Sequence, residues 1–361
     1  MLAVPGFKAE RCVRYRYSYS ACSRCADACP HDAIRLSNDG VEVLADHCKS
    51  CALCVAVCPT EALGNRDVSF AALNTRRGDA QQMTIACAPS GIGADAVVPC
   101  LGALDAVTLA EFARRGVALK LAGTARCGVC EHAAKGPEMI ALNHEAYRLL
   151  CDQAGLQSAA WVELEVPGDE AAANVHAQDT SRRDLFRRLV SHSADVISGK
   201  LEQAPAPLMA IRAAAPFLPD RKMLLNGLFS VPEGTQVRVT RHVALPAEGW
   251  QVNRGCTYCE ACVRVCPTGA IQLLESVSAW RLAFLNDRCV ACDVCAEVCQ
   301  PKVMHPSSAD DVIVNKQKGH LLAAVEKKRC PRCDRVFVNE HDSEMCPICM
   351  GDDEDFAEIF G

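Results

Sequence analysis

The sequence predicts an α+β protein of several domains. Two small cysteine-rich modules, one toward each end, flank a small α/β domain with a parallel sheet, and a short cysteine-bearing segment closes the chain. Three observations predict this. Cysteines spaced C-x2-C-x2-C-x3-C recur in pairs of runs toward both ends, strand-like and helix-like segments alternate between them, and two Cys-x-x-Cys knuckles follow the last run. At 361 residues the chain has room for two or three cores, and 25 cysteines are far more than an intracellular chain ordinarily carries. The division expected is residues 1–76, 77–165, 166–245, 246–315 and 316–361.

The strongest signal lies at Cys256-Thr-Tyr-Cys259-Glu-Ala-Cys262-Val-Arg-Val-Cys266-Pro267 and Cys289-Val-Ala-Cys292-Asp-Val-Cys295-Ala-Glu-Val-Cys299-Gln-Pro301. Three thiolates two residues apart can wrap one face of an inorganic cluster only if the backbone turns tightly and aims its amides at the sulfurs. The proline near the fourth cysteine ends the wrap, having no N–H and a fixed φ. Zinc sites use pairs of knuckles instead of runs of four. The pattern resembles the bacterial-type two-cluster ferredoxins, in which three cysteines of a run hold one cubane and the fourth reaches across to the other. The resemblance implies one [4Fe–4S] cluster on Cys256, Cys259, Cys262 and Cys299, and another on Cys289, Cys292, Cys295 and Cys266.

The N-terminal module is a second copy with one departure. Cys48-Lys-Ser-Cys51-Ala-Leu-Cys54-Val-Ala-Val-Cys58-Pro59 is a full run, but before Cys22-Ser-Arg-Cys25-Ala-Asp-Ala-Cys29-Pro30 a tyrosine, Tyr19, stands where the first cysteine belongs. Cys12, ten residues ahead of Cys22, is the substitute. The crossed ferredoxin pattern then groups Cys12, Cys22, Cys25 and Cys58 around one cubane and Cys48, Cys51, Cys54 and Cys29 around the other. The alternative is a three-cysteine site. Each copy opens a hairpin after its fourth cysteine: Ile34–Leu36 and Val41–Val43 alternate around Asn38-Asp39-Gly40, a tight-turn sequence. The second copy has four more residues before its next run, so its hairpin is longer, with residues 279–285 as the return strand.

Residues 77–165 read as an α/β domain: strands at 83–87, 96–100 and 117–121, and helices at 104–115 and 137–151. Cys87, Cys100, Cys127 and Cys130 fall just past strand ends, where open parallel sheets place ligands. With Cys100-Leu-Gly-Ala-Leu-Asp105 and Cys127-Gly-Val-Cys130-Glu-His132, this stretch is similar to the small iron–sulfur subunit of methyl-viologen-reducing hydrogenases. That resemblance implies a [2Fe–2S] cluster on the four cysteines. The alternative is a degenerate domain whose thiols fill core space, with Cys127 and Cys130 a redox pair. His132 reads as a surface residue or a support behind a ligand, not a ligand.

Residues 166–245 read as linker, with an amphipathic helix at 181–190 whose Ser181-Arg-Arg also matches a twin-arginine export motif, here far from an N-terminus. Cys330-Pro-Arg-Cys333 and Cys346-Pro-Ile-Cys349 make a zinc-ribbon-like pair that would hold zinc, or iron as in rubredoxin, with Val336-Phe-Val338 in the hairpin between them. Eight cysteines in each outer module and four at each of the other two sites leave only Cys151 over, an ordinary thiol on a helix.

The function these features imply is electron transfer. No Gly-x-Gly-x-x-Gly or Ser/His/Asp pattern is present, and the net charge of −6 suits protein partners better than nucleic acid. The expected role is a relay of single electrons to or from a catalytic oxidoreductase subunit, of hydrogenase, heterodisulfide-reductase-like or molybdopterin formate dehydrogenase type. A disulfide- or sulfur-reducing enzyme, or an assembly or sensing protein, is the alternative. The absence of an apolar leader or an 18-residue apolar window, and the need for reduced thiols, place it in the cytoplasm with no membrane span.

Overall fold

The computed structural model describes residues 4–156, 210–229, 231–232, 235–315, 319–338, 343–346 and 348–350. The helix expected at 181–190 lies outside the described residues.

At the centre is a three-stranded parallel sheet, in the order Ala96–Val98, Gln82–Cys87, Ala118–Ala122. Parallel strands must be covered on both faces, so they read as nearly continuous apolar segments, and Met83, Ile85, Val98, Leu119 and Leu121 are buried. The helix Ala106–Arg114 starts where Asp105 caps it. One carboxylate oxygen accepts from the Val107 and Thr108 amides at 3.1 and 3.0 Å. Val107, Leu109, Ala110 and Phe112 then face the core, and the helix Gly136–Ala154 adds Tyr147, Leu150 and Cys151.

The outer modules repeat one scheme. Each full cysteine run puts the residues on either side of its second cysteine into the left-handed region: Ser50 and Ala52, Tyr258 and Glu260, Ala291 and Asp293. The second of each pair precedes a short helix, Leu53–Ala56, Ala261–Val265 or Val294–Val298. The run headed by Tyr19 has no left-handed residue, and Ser23 sits at φ −127° before the helix Arg24–Asp27. After each fourth cysteine comes another left-handed residue, namely Asp32, Glu61, Gly269 or Lys302.

The first hairpin pairs Ile34–Ser37 with Gly40–Val43. Gly40 has φ +122°, and a Cβ there would sit 2.7 Å from the Phe7 ring, so turn and packing both demand glycine. In the second copy Ile271–Glu275 pairs with Ala279–Phe284, longer than the first, and the sheet continues. His320–Arg329 adds to Ala279–Phe284, and Val336–Val338 adds to His320–Arg329. The sheet therefore crosses the boundary expected at 315/316. Its last hairpin encloses the knuckle Cys330–Cys333 and does not lie between the two knuckles.

Residues 210–229, expected to be linker, knit the modules together. Ile211 bridges to Tyr17, and Leu225 enters the central core. The Glu61 carboxylate accepts from the Asp220 and Arg221 amides at 3.0 and 2.8 Å, capping the helix Asp220–Leu228. Asn226 donates to the Asp287 carbonyl at 2.8 Å. Arg24 and Asp293 form an ion pair directly between the two cysteine modules at 2.5 Å.

Candidate metal centres

Cys12, Cys22, Cys25 and Cys58 line one cavity of the N-terminal module, and Cys29, Cys48, Cys51 and Cys54 line another. Cys256, Cys259, Cys262 and Cys299 share a third, and Cys266, Cys289, Cys292 and Cys295 a fourth. In each module the last cysteine of one run has crossed to the cavity of the other. Cys12 joins its group from the N-cap of the helix Val13–Arg16, while Tyr19 points outward at 63 % exposure.

The local backbone suits an anionic sulfur cage. The left-handed residue after a fourth cysteine turns the following amide back on the sulfur. Ala33, Ala62 and Ala270 donate to Cys29, Cys58 and Cys266 Sγ, each at 3.3 Å. Ser50 donates to Cys48 Sγ at 3.4 Å. Soft thiolates with amide donors are the ligand chemistry of iron–sulfur clusters.

Burial pushes the thiols up from their ordinary range: Cys51 and Cys289 to about 11, and Cys25 and Cys262 to about 12. Cys54, Cys292 and Cys295 are also raised by burial, with neighbouring sulfurs adding to the shift. Four thiolates crowded into one small, poorly solvated space repel each other, so they ionise together only around a polycationic core. The residues present therefore fit a cluster and do not fit four bare thiolates.

Cys87, Cys100, Cys127 and Cys130 line a fifth cavity at the carboxyl edge of the parallel sheet. Its empty volume, mouth included, is about 340 Å³, inside the range of about 290 to 440 Å³ of the other four. Gly123, at φ +109°, permits the close approach: a Cβ there would lie 3.0 Å from Cys87 Sγ and 2.6 Å from Ser90 Cβ. Burial raises Cys100 to about 12. The loop carrying Cys127 and Cys130 lies at the surface, with Val129 81 % exposed.

His132 lines this cavity and is buried, at 3 % exposure, so it is not a surface residue. Its Nδ1 lies 2.9 Å from Nε2 of His31, which lines the cavity of Cys29, Cys48, Cys51 and Cys54. His31, Cys51 and His132 present ligand atoms within 4.8 Å of one another. Sequence reasoning missed His31 because its partner lies 101 residues away and neither flank carries a pairing signal.

At the C-terminal end Cys330, Cys333, Cys346 and Cys349 bring their sulfurs within 4.8 Å of one another, with Cys333 and Cys346 3.7 Å apart. Tetrahedral zinc with bonds of about 2.3 Å separates its sulfurs by about 3.8 Å, so one ion fits. The backbone amide of Cys346 heads the hydrogen bonds that lower Cys330 to about 6, favouring its thiolate.

A model of a 4Fe-4S dicluster domain matches residues 16–64, and a second 4Fe-4S dicluster model matches residues 255–303. A ferredoxin of Methanothermococcus thermolithotrophicus is 42 % identical over 43 residues, which is 12 % of this chain and 72 % of that ferredoxin. Among the described residues no helix is long and apolar enough to cross a membrane.

Proposed function

Because the chain belongs to the ferredoxin family through its 4Fe-4S dicluster domains, we propose that it relays single electrons between a redox enzyme and that enzyme's partner along a row of iron–sulfur centres. The ferredoxin domains carry an iron–sulfur electron-transfer role. The four outer tetrads are the ligands of four cubanes, Cys87, Cys100, Cys127 and Cys130 those of a two-iron centre, and Cys330, Cys333, Cys346 and Cys349 those of a structural zinc or iron. Each cubane, when bound, exchanges one electron with no bond made or broken.

The observation that carries the reading is that the cavities adjoin. Cys100 and Cys51 share one apolar cluster, and Cys25 and Cys54 share another. Cys22, Cys262 and Cys292 pack against a third, made of Val13, Tyr17, Val265, Val294 and Val298. Cys262 and Cys295 meet within the C-terminal module. Electron tunnelling falls steeply with distance, and these side chains keep successive centres close and dry. The row runs from the surface loop of Cys127 and Cys130 to Cys259, which is exposed. Its partners would be hydrogenase, heterodisulfide-reductase-like or molybdopterin formate dehydrogenase components in the cytoplasm, the classes implied by the central domain.

Anaerobic iron and sulfide analysis with reductive titration of the full chain tests this. About sixteen irons from four cubanes, and about two more from the central site, are expected, with one electron taken up per centre. A folded chain with no iron, its tetrads joined by disulfides, overturns the proposal. Alkylation of Cys127 and Cys130 with all clusters intact would instead make the central site a dithiol acting on a disulfide or sulfur substrate.

A further inference from the structure

Two cations, Arg16 and Lys222, are buried between the modules, and among the described residues neither is ion-paired with a carboxylate. Arg16 is fully buried, and its guanidinium donates only to carbonyls, of Glu10 at 2.7 Å, Ala214 at 3.1 Å and Ala215 at 2.8 Å. The segment bearing those last two carbonyls lies on the first cysteine run of the C-terminal module, because the Phe217 amide donates to the Pro267 carbonyl, next to Cys266, at 3.0 Å. Lys222 is likewise fully buried, and its ammonium donates to the Pro246 carbonyl at 3.1 Å. Its helix is anchored by Asn226 to Asp287, two residues before Cys289.

Carbonyl dipoles solvate a cation but do not neutralise it, and a buried charge without a counter-charge is costly. Sulfurs of one tetrad lie near both cations, with the carboxylates of Glu10 and Asp287 near as well. Cys266 and then Cys292 act on Arg16 ahead of Glu10, and Cys289 acts on Lys222 ahead of Asp287. Burial pushes the Lys222 ammonium down to about 8. The other tetrads differ. The largest charge effects on Cys262 and Cys25 come from other cysteines, and the arginines beside Cys12 and Cys22, Arg14 and Arg24, are partly exposed.

We propose that Arg16 and Lys222 set the centre held by Cys266, Cys289, Cys292 and Cys295 at the highest reduction potential in the row, so that electrons collect there. The inference rests on the proposed assignment of a cubane to that tetrad. Reduction adds one electron from an external donor, takes the cubane core from 2+ to 1+, and involves no proton. The added negative charge is stabilised by two cations fixed nearby in a medium of low polarity, where charge interactions are strong.

The test is potentiometric titration of the full, iron-loaded chain with dithionite at pH 7, followed by electron paramagnetic resonance. In Lys222→Met, the reduced-to-oxidised ratio of the first centre to reduce should fall about tenfold at the wild-type midpoint, which is 59 mV for one electron. Lys222→Arg should restore it. Arg16→Gln should act in the same direction, and Arg14→Gln, beside the Cys12 tetrad, should leave that step in place. If Lys222→Met keeps its full iron content but the first step does not move, or if Arg14→Gln moves it as far, the inference is wrong. A wild-type chain with no reducible cubane would defeat the underlying relay reading, a separate and visible failure. Should Arg16→Gln not load clusters, the two Lys222 variants decide the matter.

Discussion

The two ferredoxin modules place their cysteines alike and surround them differently. In the C-terminal copy both runs carry all their cysteines at the regular spacing, and both bend through left-handed residues on either side of the second cysteine. In the N-terminal copy the first run has lost a cysteine to Tyr19 and recruits Cys12 from a separate helix. Cys12 reaches the same cavity from outside the run, and Ala21 and Ser23 stay out of the left-handed region. The contrast teaches that the cage is specified by where sulfurs converge, while one particular way of bending the backbone is dispensable. The surroundings diverge further: among the described residues the C-terminal copy alone extends its hairpin into a four-stranded sheet, and it holds the tetrad near Arg16 and Lys222.

Removing iron should break both copies at once while sparing the domain between them. The C-terminal core includes Cys266, Cys289 and Cys295 among its few buried members, so the cluster itself supplies much of the cohesion. The central core is larger and is mostly aliphatic and aromatic, with side chains such as Ile85, Val98, Leu104, Phe112 and Leu150 beside Cys87 and Cys151. After anaerobic chelation, hydrogen exchange at the amides of Ala33, Ala62 and Ala270, which donate to sulfur, should rise to unfolded rates. Amides of the strand Gln82–Cys87 should stay protected. Equal loss in all three regions would show that the central sheet depends on the clusters too.

Cys12→Ser sharpens the difference between the copies. It should cost about four irons per chain, as Cys256→Ser should in the other module, whereas Tyr19→Ser should cost none. If Cys12→Ser keeps its iron and gives only an altered spectrum, the N-terminal site is a three-cysteine one. A smaller loss is expected at the centre: Cys130→Ser should remove about two irons. A loss of four would identify that cavity, whose volume falls within the range of the other four, as a cubane site.

Much of this was legible in the sequence because ligand spacing is a local property. The runs, the hairpin after Cys29 and the parallel strands at 83–87 and 117–121 each follow from a few neighbouring residues. The features that distinguish the centres do not. Arg16 meets Ala214 and Ala215 across nearly two hundred residues, and His31 meets His132 across 101, so no window of sequence contains the pair. Lys222 looks like a surface lysine on a short helix in a stretch read as linker. Only packing of three modules around residues 210–229 buries it. The pairing of His320–Arg329 with Ala279–Phe284 was hidden for a related reason: the knuckles mark a metal site and say nothing about which sheet the strand before them joins.

The smallest effect expected compares one substitution at the same position within two runs, the first run of the N-terminal copy and the second run of the C-terminal copy. Ala291 and Ala21 each stand immediately before the second cysteine position of a run, but Ala291 has φ 55° and Ala21 is not left-handed. A Cβ in the left-handed region costs roughly 1–2 kcal/mol, while glycine elsewhere costs about 0.5–1 kcal/mol through the freedom it adds to the unfolded chain. Ala291→Gly should therefore stabilise the iron-loaded protein by up to about 1 kcal/mol, and Ala21→Gly should destabilise it by a similar amount. Denaturant midpoints read from the cluster absorbance would give the two signs directly. Shifts of the same sign would mean that the substituted N-terminal run bends as the complete runs do, and that Cys12 joins a cage whose backbone never relaxed.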